Sequence, residues 1–587
     1  MASPLTYPNE KPGVSPDHYK RNPAAAVEAD AAPAPDVPST TRAGVWSVAW
    51  VRGLAICAFY TVAVIWFTWP LASQLGTHTI SHIDPPFSAW RLWWVSHYLT
   101  HGGSLFDTNI FFPARRTLAY SDAMLLQGAL AVPLRAIGLN PVAVSNLLTL
   151  GAMAACGAAA WLLAKRLTGH MGGALLAGIV FAFAPARLDH IAHMELQWAF
   201  WMPLAFWAWH RTLDEGAFLD GLLVALFMLA QLLSSIYFGI FLGMTLAVLA
   251  ALTVIARRFR IPGPALVGLG VGAVLLGLVA SEYSRPYTAV EKQVGQRDRA
   301  EIERYSAKFS SFTSTRPDNW LYGNATGTWD EEEKHLHPGV TPVVVGAAAL
   351  APPLAPGALV YAATLAFSTD AAMGLNGRLY PLLRRIVSPL RGLRAPARFG
   401  VLVQLCLGVL AAIGLARLTT RWPRYGLAIT VAALALTTAE YSSQSLLLMR
   451  LPEKPPPIYK WLSLQLPKSV TLELPAPAPN GLPFMDPWYT YHSIWHRQPL
   501  VNGYSGHYYP PYVDLLEGMK TFPSEQADRA LTRAGVRIII LHEAFYPKGR
   551  YEPLVAKLDT LPRYRLVAIS DDQVGRARAY FFTPDPG

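Results

Sequence analysis

Charge is scarce in this chain and cysteine almost absent. Only 15% of its 587 residues are Asp, Glu, Lys or Arg, against 52% that are hydrophobic, and there are 3 cysteines. Apolar runs recur at membrane-spanning length, which excludes a soluble multidomain protein and implies a polytopic membrane protein. Cys57, Cys156 and Cys406 each lie inside such a run, where a thiol behaves as a small hydrophobe. Neither a disulfide framework nor a cysteine metal cluster is indicated. A phosphate-cradling glycine loop, Cys/His zinc spacing and a hydrolase nucleophile elbow are also missing. The net charge of +11 invites a nucleic-acid reading. The Lys and Arg residues, however, gather in short loops between apolar runs, where they set topology and meet lipid phosphates.

The Ala- and Pro-rich opening cannot bury enough apolar surface to offset ordering, so residues 1–44 are expected to form a disordered cytoplasmic tail. It lacks the pattern of a secretory signal, so the first span is expected to be retained. Spans are expected near 48–71, 142–164, 171–186, 196–210, 217–235, 238–256, 262–281, 339–354, 356–370, 399–416 and 424–441, with a shorter interfacial segment at 124–139. That is about eleven. The fold class is therefore mainly α: a polytopic membrane helix bundle over 45–441, followed by an α/β domain over 442–587. Lys165, Arg166, Arg211, Arg257, Arg417 and Arg421 mark one side as cytoplasmic. Loops 72–140, 282–338 and 371–398 and the C-terminal domain then lie on the outer side. In the last, strands are expected at Val470–Leu474, Val536–Leu541 and Arg565–Ile569, and a helix at Ser524–Ala534.

Just beyond the first span stands Asp84-Pro85-Pro86, opening a segment with Trp90, Trp93, Trp94 and Tyr98, residues suited to the headgroup layer. A carboxylate at a membrane surface is a candidate base. Asp before Pro is also what a helix N-cap looks like, and the two roles are compatible. Arg115 and Arg116 break the charge rule on the outer side, which fits either a bound phosphate or snorkelling at the interface. Arg297, Arg394 and Arg398 repeat the anomaly in two further loops. Together the basic loops could form a cationic rim for a lipid phosphate. The acidic run Asp330–Glu333 reads as a solvated face.

In the second outer loop Asp189, His193 and Gln197 are spaced to share a helical face, and His190, His193 and Glu195 offer nitrogen and oxygen ligands. A divalent metal and a hydrogen-bonded helix start both fit them. The aromatic stretches Trp488–His496 and Tyr504–Tyr509, with His507, fit sugar stacking or loop packing.

This layout resembles the GT-C superfamily of integral-membrane glycosyltransferases. The likeness is carried by the Asp84-Pro85 of the first outer loop, and for bacterial relatives of the YfhO type by Leu393–Phe399 and Val501–Gly506. The superfamily has an acidic pair in that loop, whereas here Pro85 follows Asp84. Asp189 or Glu195, with Asp122 behind them, would replace the second acid. The resemblance implies inverting sugar transfer from a polyprenyl-phosphate carrier to a glycan, lipid or protein acceptor at the outer face of a bacterial inner membrane. Asp84 would act as base, Arg115, Arg116, Arg297, Arg394 and Arg398 would bind the donor phosphate, and His190, His193, Gln197, Tyr504 and His507 would hold sugar or acceptor. A noncatalytic scaffold or a translocase for lipid-linked saccharides is the competing expectation. The ionisable groups at span ends and the lack of an internal repeat favour the enzyme.

Overall fold

The computed structural model describes residues 42–258, 260–327, 332–465, 469–479, 481, 483–572 and 575–584. The expected tail thus lies outside the described residues up to residue 41, as do Asp330 and Glu331. The chain divides into two compact units, Met1–Gly53 and Leu54–Gly587. Of the first, only the opening residues of a helix are described, and the site lies wholly within the second.

Helix α1 (Arg42–Phe67), strand β1 (His78–Ile80), helix α2 (Asp84–His101) and the apolar helix α3 (Leu125–Ala136) come first. Helices α4 (Pro141–Thr168) and α5 (Met171–Phe183) form a hairpin. Two short helices, α6 (Pro185–Asp189) and α7 (Met194–Gln197), lead into α8 (Trp201–Asp214), α9 (Phe218–Ser234), α10 (Ile236–Ala256) and α11 (Gly263–Val294). The small helices α12 (Arg299–Arg304) and α13 (Gly323–Thr326) precede α14 (Val340–Ala347), α15 (Pro356–Ala372) and α16 (Tyr380–Ile386). Helices α17 (Gly400–Arg421) and α18 (Gly426–Tyr441) close the bundle.

Every expected span coincides with a helix. Among the described residues, 6 helices are long and apolar enough to cross a membrane: Trp50–Phe67, Pro141–Thr168, Met171–Asp189, Ile236–Ala256, Gly263–Val294 and Pro396–Arg421. The chain is a polytopic membrane protein. Local chemistry sets the ends. At α4 the Asn140 side chain accepts from the Ala143 amide at 2.8 Å with Pro141 in the first turn, and Gly169, at φ 66°, closes the other end. Helices α9 and α11 touch through glycine: a Cβ on Gly268 would meet the Phe218 carbonyl oxygen at 2.0 Å, and one on Gly221 the Ala265 oxygen at 2.1 Å. Small residues let backbones approach where lipid supplies no hydrophobic drive.

After Tyr441, strand β2 (Leu448–Arg450) pairs antiparallel with β1 and so ties this region to the first loop. Helices α19 (Pro457–Gln465), α20 (Asp486–His496), α21 (Pro510–Met519), α22 (Glu525–Arg533) and α23 (Tyr551–Asp559) surround strands β3 (Thr471–Leu474), β4 (Ile538–His542), β5 (Tyr564–Asp572) and β6 (Gly575–Phe582). The sheet order is β3-β4-β6-β5, with β3 and β4 parallel and the other pairs antiparallel. Strand β4 is buried throughout, as its continuous Ile-Ile-Ile-Leu run requires.

Two expectations change. Trp90 and Trp93 are buried, not spread in the headgroup layer, because α2 packs between α3, α4 and α20. Helix α11 continues to Val294, so residues 282–294 of the expected loop are helical.

Candidate active site

Asp84 opens α2, yet its side chain makes no helix cap. Pro86, two residues on, has no amide to donate to a cap, and the carboxylate turns instead into a cavity of about 400 Å³. There Tyr504 Oη donates to Asp84 Oδ1 at 3.0 Å. Asp84 Oδ2 lies 3.1 Å from His82 Nδ1 and 3.3 Å from His193 Nε2. His82 Nδ1 is also 3.2 Å from the Asp84 amide, so its tautomer decides whether it accepts from the backbone or donates to the carboxylate.

Burial alone would raise the Asp84 pKa, but His193, His82 and Arg91 together hold the carboxyl well below its ordinary range. His193 is itself pushed down, chiefly by burial, and at neutral pH it therefore acts as a neutral donor. Arg91 is then the permanent positive charge nearby.

Arg91, only 1% exposed, donates to Glu195 Oε2 at 2.9 Å, to Ser88 Oγ at 2.9 Å and to the Asp122 carbonyl at 3.1 Å. It neutralises Glu195, whose carboxyl it draws down against burial. Asp122 lines the same cavity and accepts from the Ile236 amide at 2.8 Å and from Ser235 Oγ at 3.0 Å at the start of α10. Burial and the Glu195 charge push Asp122 up to about 6.

The opposite wall is cationic. Arg297 donates to the Gly506 carbonyl at 2.7 Å and contacts His507 Nε2 at 2.9 Å. Burial and then that guanidinium hold His507 down at about 3, so it is neutral and accepts. Arg394 meets Glu301 only at 3.7 Å and stacks over Tyr305 at 5.5 Å. Arg398 also lines the cavity, but its Nε lies 2.9 and 3.1 Å from the two Glu333 oxygens and its Nη2 2.5 Å from the first. Two of its donors are therefore committed, and Arg297 Nη1 also reaches Glu301 at 3.4 Å, so Arg394 is the least engaged of the three. Phenols of Tyr237, Tyr287, Tyr305 and Tyr508 complete the lining.

Residues 502–507 are fixed from the sheet side. Asn502, fully buried, donates to the Glu473 carbonyl at 3.0 Å and accepts from the Glu473 amide at 2.7 Å. A Cβ on Gly503 would strike the Phe111 ring at 2.5 Å. The Asn-Gly-Tyr-Ser-Gly run is thus a close-fitting strap that delivers Tyr504 to Asp84.

The remaining expected site residues go elsewhere. Arg115 and Arg116 are exposed and do not line the cavity; the Arg116 amide donates to Asp107 Oδ1 at 2.8 Å. Asp189 bonds to His335 at 2.5 Å and lies 3.5 Å from Arg316, away from Asp84. His190 reaches Glu333 Oε2 at 3.1 Å in a neighbouring small pocket, and Gln197 spends its amide on the Arg187 and His190 carbonyls. The expected shared helical face is broken by the turn between α6 and α7. Glu333, expected in a solvated run, is instead buried, because Arg398 and His190 both pair with it. Tyr489, Tyr491 and His492 pack inside the C-terminal region rather than offering faces to sugar. Of the acids expected to accompany Asp84, Glu195 and Asp122 line its cavity and Asp189 does not.

Among the described residues no three His, Cys, Asp or Glu groups converge to hold a metal ion.

A second, apolar groove of about 660 Å³ adjoins the cavity between α9, α10 and α11. The two share Ala119, Ile236, Tyr287, Gly392, Leu393 and His507.

Fold and cleft together define a polytopic membrane protein with a charged cavity at one end of its bundle, opening beside an apolar groove. No protein-family model and no curated protein matches the sequence. Among solved structures, the chain is similar to the oligosaccharyltransferase AglB of the archaeon Archaeoglobus fulgidus, in complex with an inhibitory peptide and a dolichol-phosphate. The identity is 12% and the TM-score 0.47, over 92% of this chain and 75% of that one. The oligosaccharyltransferase of the same organism in the apo form matches at 11% identity and TM-score 0.47, over 91% and 74%. ArnT from Cupriavidus metallidurans, bound to undecaprenyl phosphate, matches at 13% identity and TM-score 0.49, over 92% and 99%. Likeness of this degree assigns no chemistry, which the cleft itself has to supply.

Proposed function

We propose that the chain is an inverting glycosyltransferase of the GT-C type that takes a sugar from a polyprenyl-phosphate donor at the extracytoplasmic face of a membrane. One observation carries the reading: the Asp84 carboxylate and the guanidinium groups of Arg297 and Arg394 line a single cavity, and that cavity adjoins an apolar groove sized for a lipid chain. A lipid-linked sugar phosphate has this same sequence of parts, hydrocarbon, phosphate and sugar.

Asp84 accepts the proton of the acceptor hydroxyl as its oxygen attacks the anomeric carbon. The bond from that carbon to the phosphate oxygen breaks, its electron pair leaves with the carrier phosphate, and the configuration inverts. Arg394 and Arg297 bind the phosphate whose charge grows as it departs, with Arg398 held as framework by Glu333. Tyr504 and His193 fix the carboxylate so that one lone pair faces the acceptor. Glu195, already neutralised by Arg91, sets the local field without competing for the proton.

The test is purified protein with a polyprenyl-phosphate sugar, scored by release of carrier phosphate. Asp84→Asn should lower transfer by about 10²-fold or more while donor binding persists. Retained turnover would remove Asp84 from the reaction, and a protein that moves the lipid without releasing phosphate would be a translocase.

A further inference from the structure

Four arginines outside the cleft surround a hollow of their own. Arg299, Arg384, Arg385 and Arg391, with Gln296, Leu375 and Pro381, line a cavity of about 360 Å³ without an acidic residue in its wall. Among the described residues none of the four is paired with a carboxylate. Four uncompensated guanidinium groups repel one another unless an anion joins them. Arg391 is held among them, donating through Nε to the Arg384 carbonyl at 3.4 Å and through Nη2 to the Arg385 carbonyl at 3.3 Å. Arg384 Nε is buried with no partner.

The surroundings say what kind of anion. On α16, Leu382 and Ile386 stand one turn apart and are exposed, as is Leu379 just before the helix, so an apolar face borders the cationic hollow. Exposed aliphatic groups beside arginines place this segment at the level of lipid headgroups. The segment that follows α16, Val387 to Leu393, lines the apolar groove described above. This segment therefore has a cationic hollow on one side and an apolar groove on the other.

We infer that this hollow is a second binding site, for the phosphate headgroup of a lipid, distinct from the phosphate position facing Asp84. The chemistry is a tetrahedral phosphate on a hydrocarbon chain, held by planar guanidinium donors. Either an anionic phospholipid of the bilayer or a polyprenyl phosphate outside the groove has this chemistry. The inference stands independently of the transfer reaction, because it concerns occupancy and not turnover.

The experiment is native mass spectrometry of the full-length protein, offered phosphatidylglycerol, phosphatidylcholine, a polyprenyl phosphate or inorganic phosphate in turn. Wild type should retain an anionic lipid that Arg384→Ala/Arg385→Ala binds roughly ten- to thirtyfold more weakly, with phosphatidylcholine unaffected. Arg384→Lys/Arg385→Lys should restore most of the binding, which separates lost charge from a damaged fold. Preference for polyprenyl phosphate would identify the carrier as occupant, and preference for phosphatidylglycerol a bilayer lipid. Competition by inorganic phosphate would show that the headgroup carries the binding. Equal retention of anionic lipid by wild type and the alanine variant, or no preference over phosphatidylcholine, would overturn the inference.

Discussion

At the scale of single residues, three carboxylates line one cavity, and their environments push them apart. Asp84 is drawn well below the ordinary range, Glu195 is lowered chiefly through Arg91, and Asp122 is raised to about 6. That separation turns the pH dependence of kcat/KM, which reports the free enzyme, into an assignment. If Asp84 is the base, it stays ionised as pH falls, so the rate should hold from about pH 8 down to about pH 5, below which an ordinary carboxylate would begin to protonate. An acid limb centred near 6 would point to Asp122 instead. The sequence made Asp84 legible because a carboxylate followed by two prolines just past a span is unusual, and it made Arg297 and Arg394 legible because they break the charge rule. Arg91 was readable in principle: it lies seven residues from Asp84, two turns along the same helix face. Glu333 was not, since its neighbours in the acidic run give no sign that Arg398 and His190 reach it through space.

At the scale of elements, hydropathy located the helices well because burial in lipid and in the bundle core imposes the same apolar length. It missed the polar end of α11, where helix continues past the apolar run, and it missed β6, whose Arg-Ala-Arg-Ala start alternates outward and inward but holds no β-branched or aromatic residue to signal a strand. Close helix contact supplies a mechanical test. Gly268→Val would push a side chain into the Phe218 carbonyl, whereas Gly270 faces open space on the same helix. The first substitution should cost about 1–3 kcal/mol and the second much less, read as thermal denaturation in detergent. The strap that carries Tyr504 hangs on a different balance. Asn502 donates to Asp486 Oδ1 at 3.1 Å and Tyr512 to Oδ2 at 2.9 Å, and the Asp486 carboxyl, fully buried, is pushed up to about 7, mainly by that burial. A raised folded-state value means that the stability Asp486 contributes is complete below its unfolded value of 3.8 and is lost as pH rises through about 7. The wild-type melting temperature should therefore fall between pH 5 and pH 8, values taken as about one to two units either side of that titration. Asp486→Asn should flatten this slope while lowering the baseline, because an amide offers one acceptor where two donors wait. An unchanged slope would place the titration elsewhere.

At the scale of the whole molecule the two ends of the bundle differ in kind. One end pairs its charges off: Arg166 with Asp214 and Glu215 at 3.1 and 2.8 Å, Arg211 with Glu215 at 2.6 Å, and Arg257 with Asp214 at 2.5 Å. The other end holds the cavity, the unpaired arginine hollow and the β1–β2 link. Helix α4 joins them: near its start Asn146 donates to the Leu75 and His78 carbonyls at 2.8 and 2.7 Å, and its last turn carries Lys165 and Arg166. Its 28 residues rise about 42 Å, enough to separate the two ends by a bilayer. The positive-inside rule gives the expectation that the Arg166 end is cytoplasmic although the other end is also rich in arginine, because short loops between spans carry the orienting charge. Cys156 and Cys406 are buried and Cys57 is exposed, so a Cys57→Ser background suits labelling. Ser388→Cys, on the segment that follows α16, should react with a membrane-impermeant maleimide in intact cells, and Ala217→Cys only after permeabilisation. The reverse pattern would put Asp84 on the cytosolic side and remove an extracytoplasmic carrier from the reaction, while leaving the geometry of the cleft to be explained by another lipid phosphate.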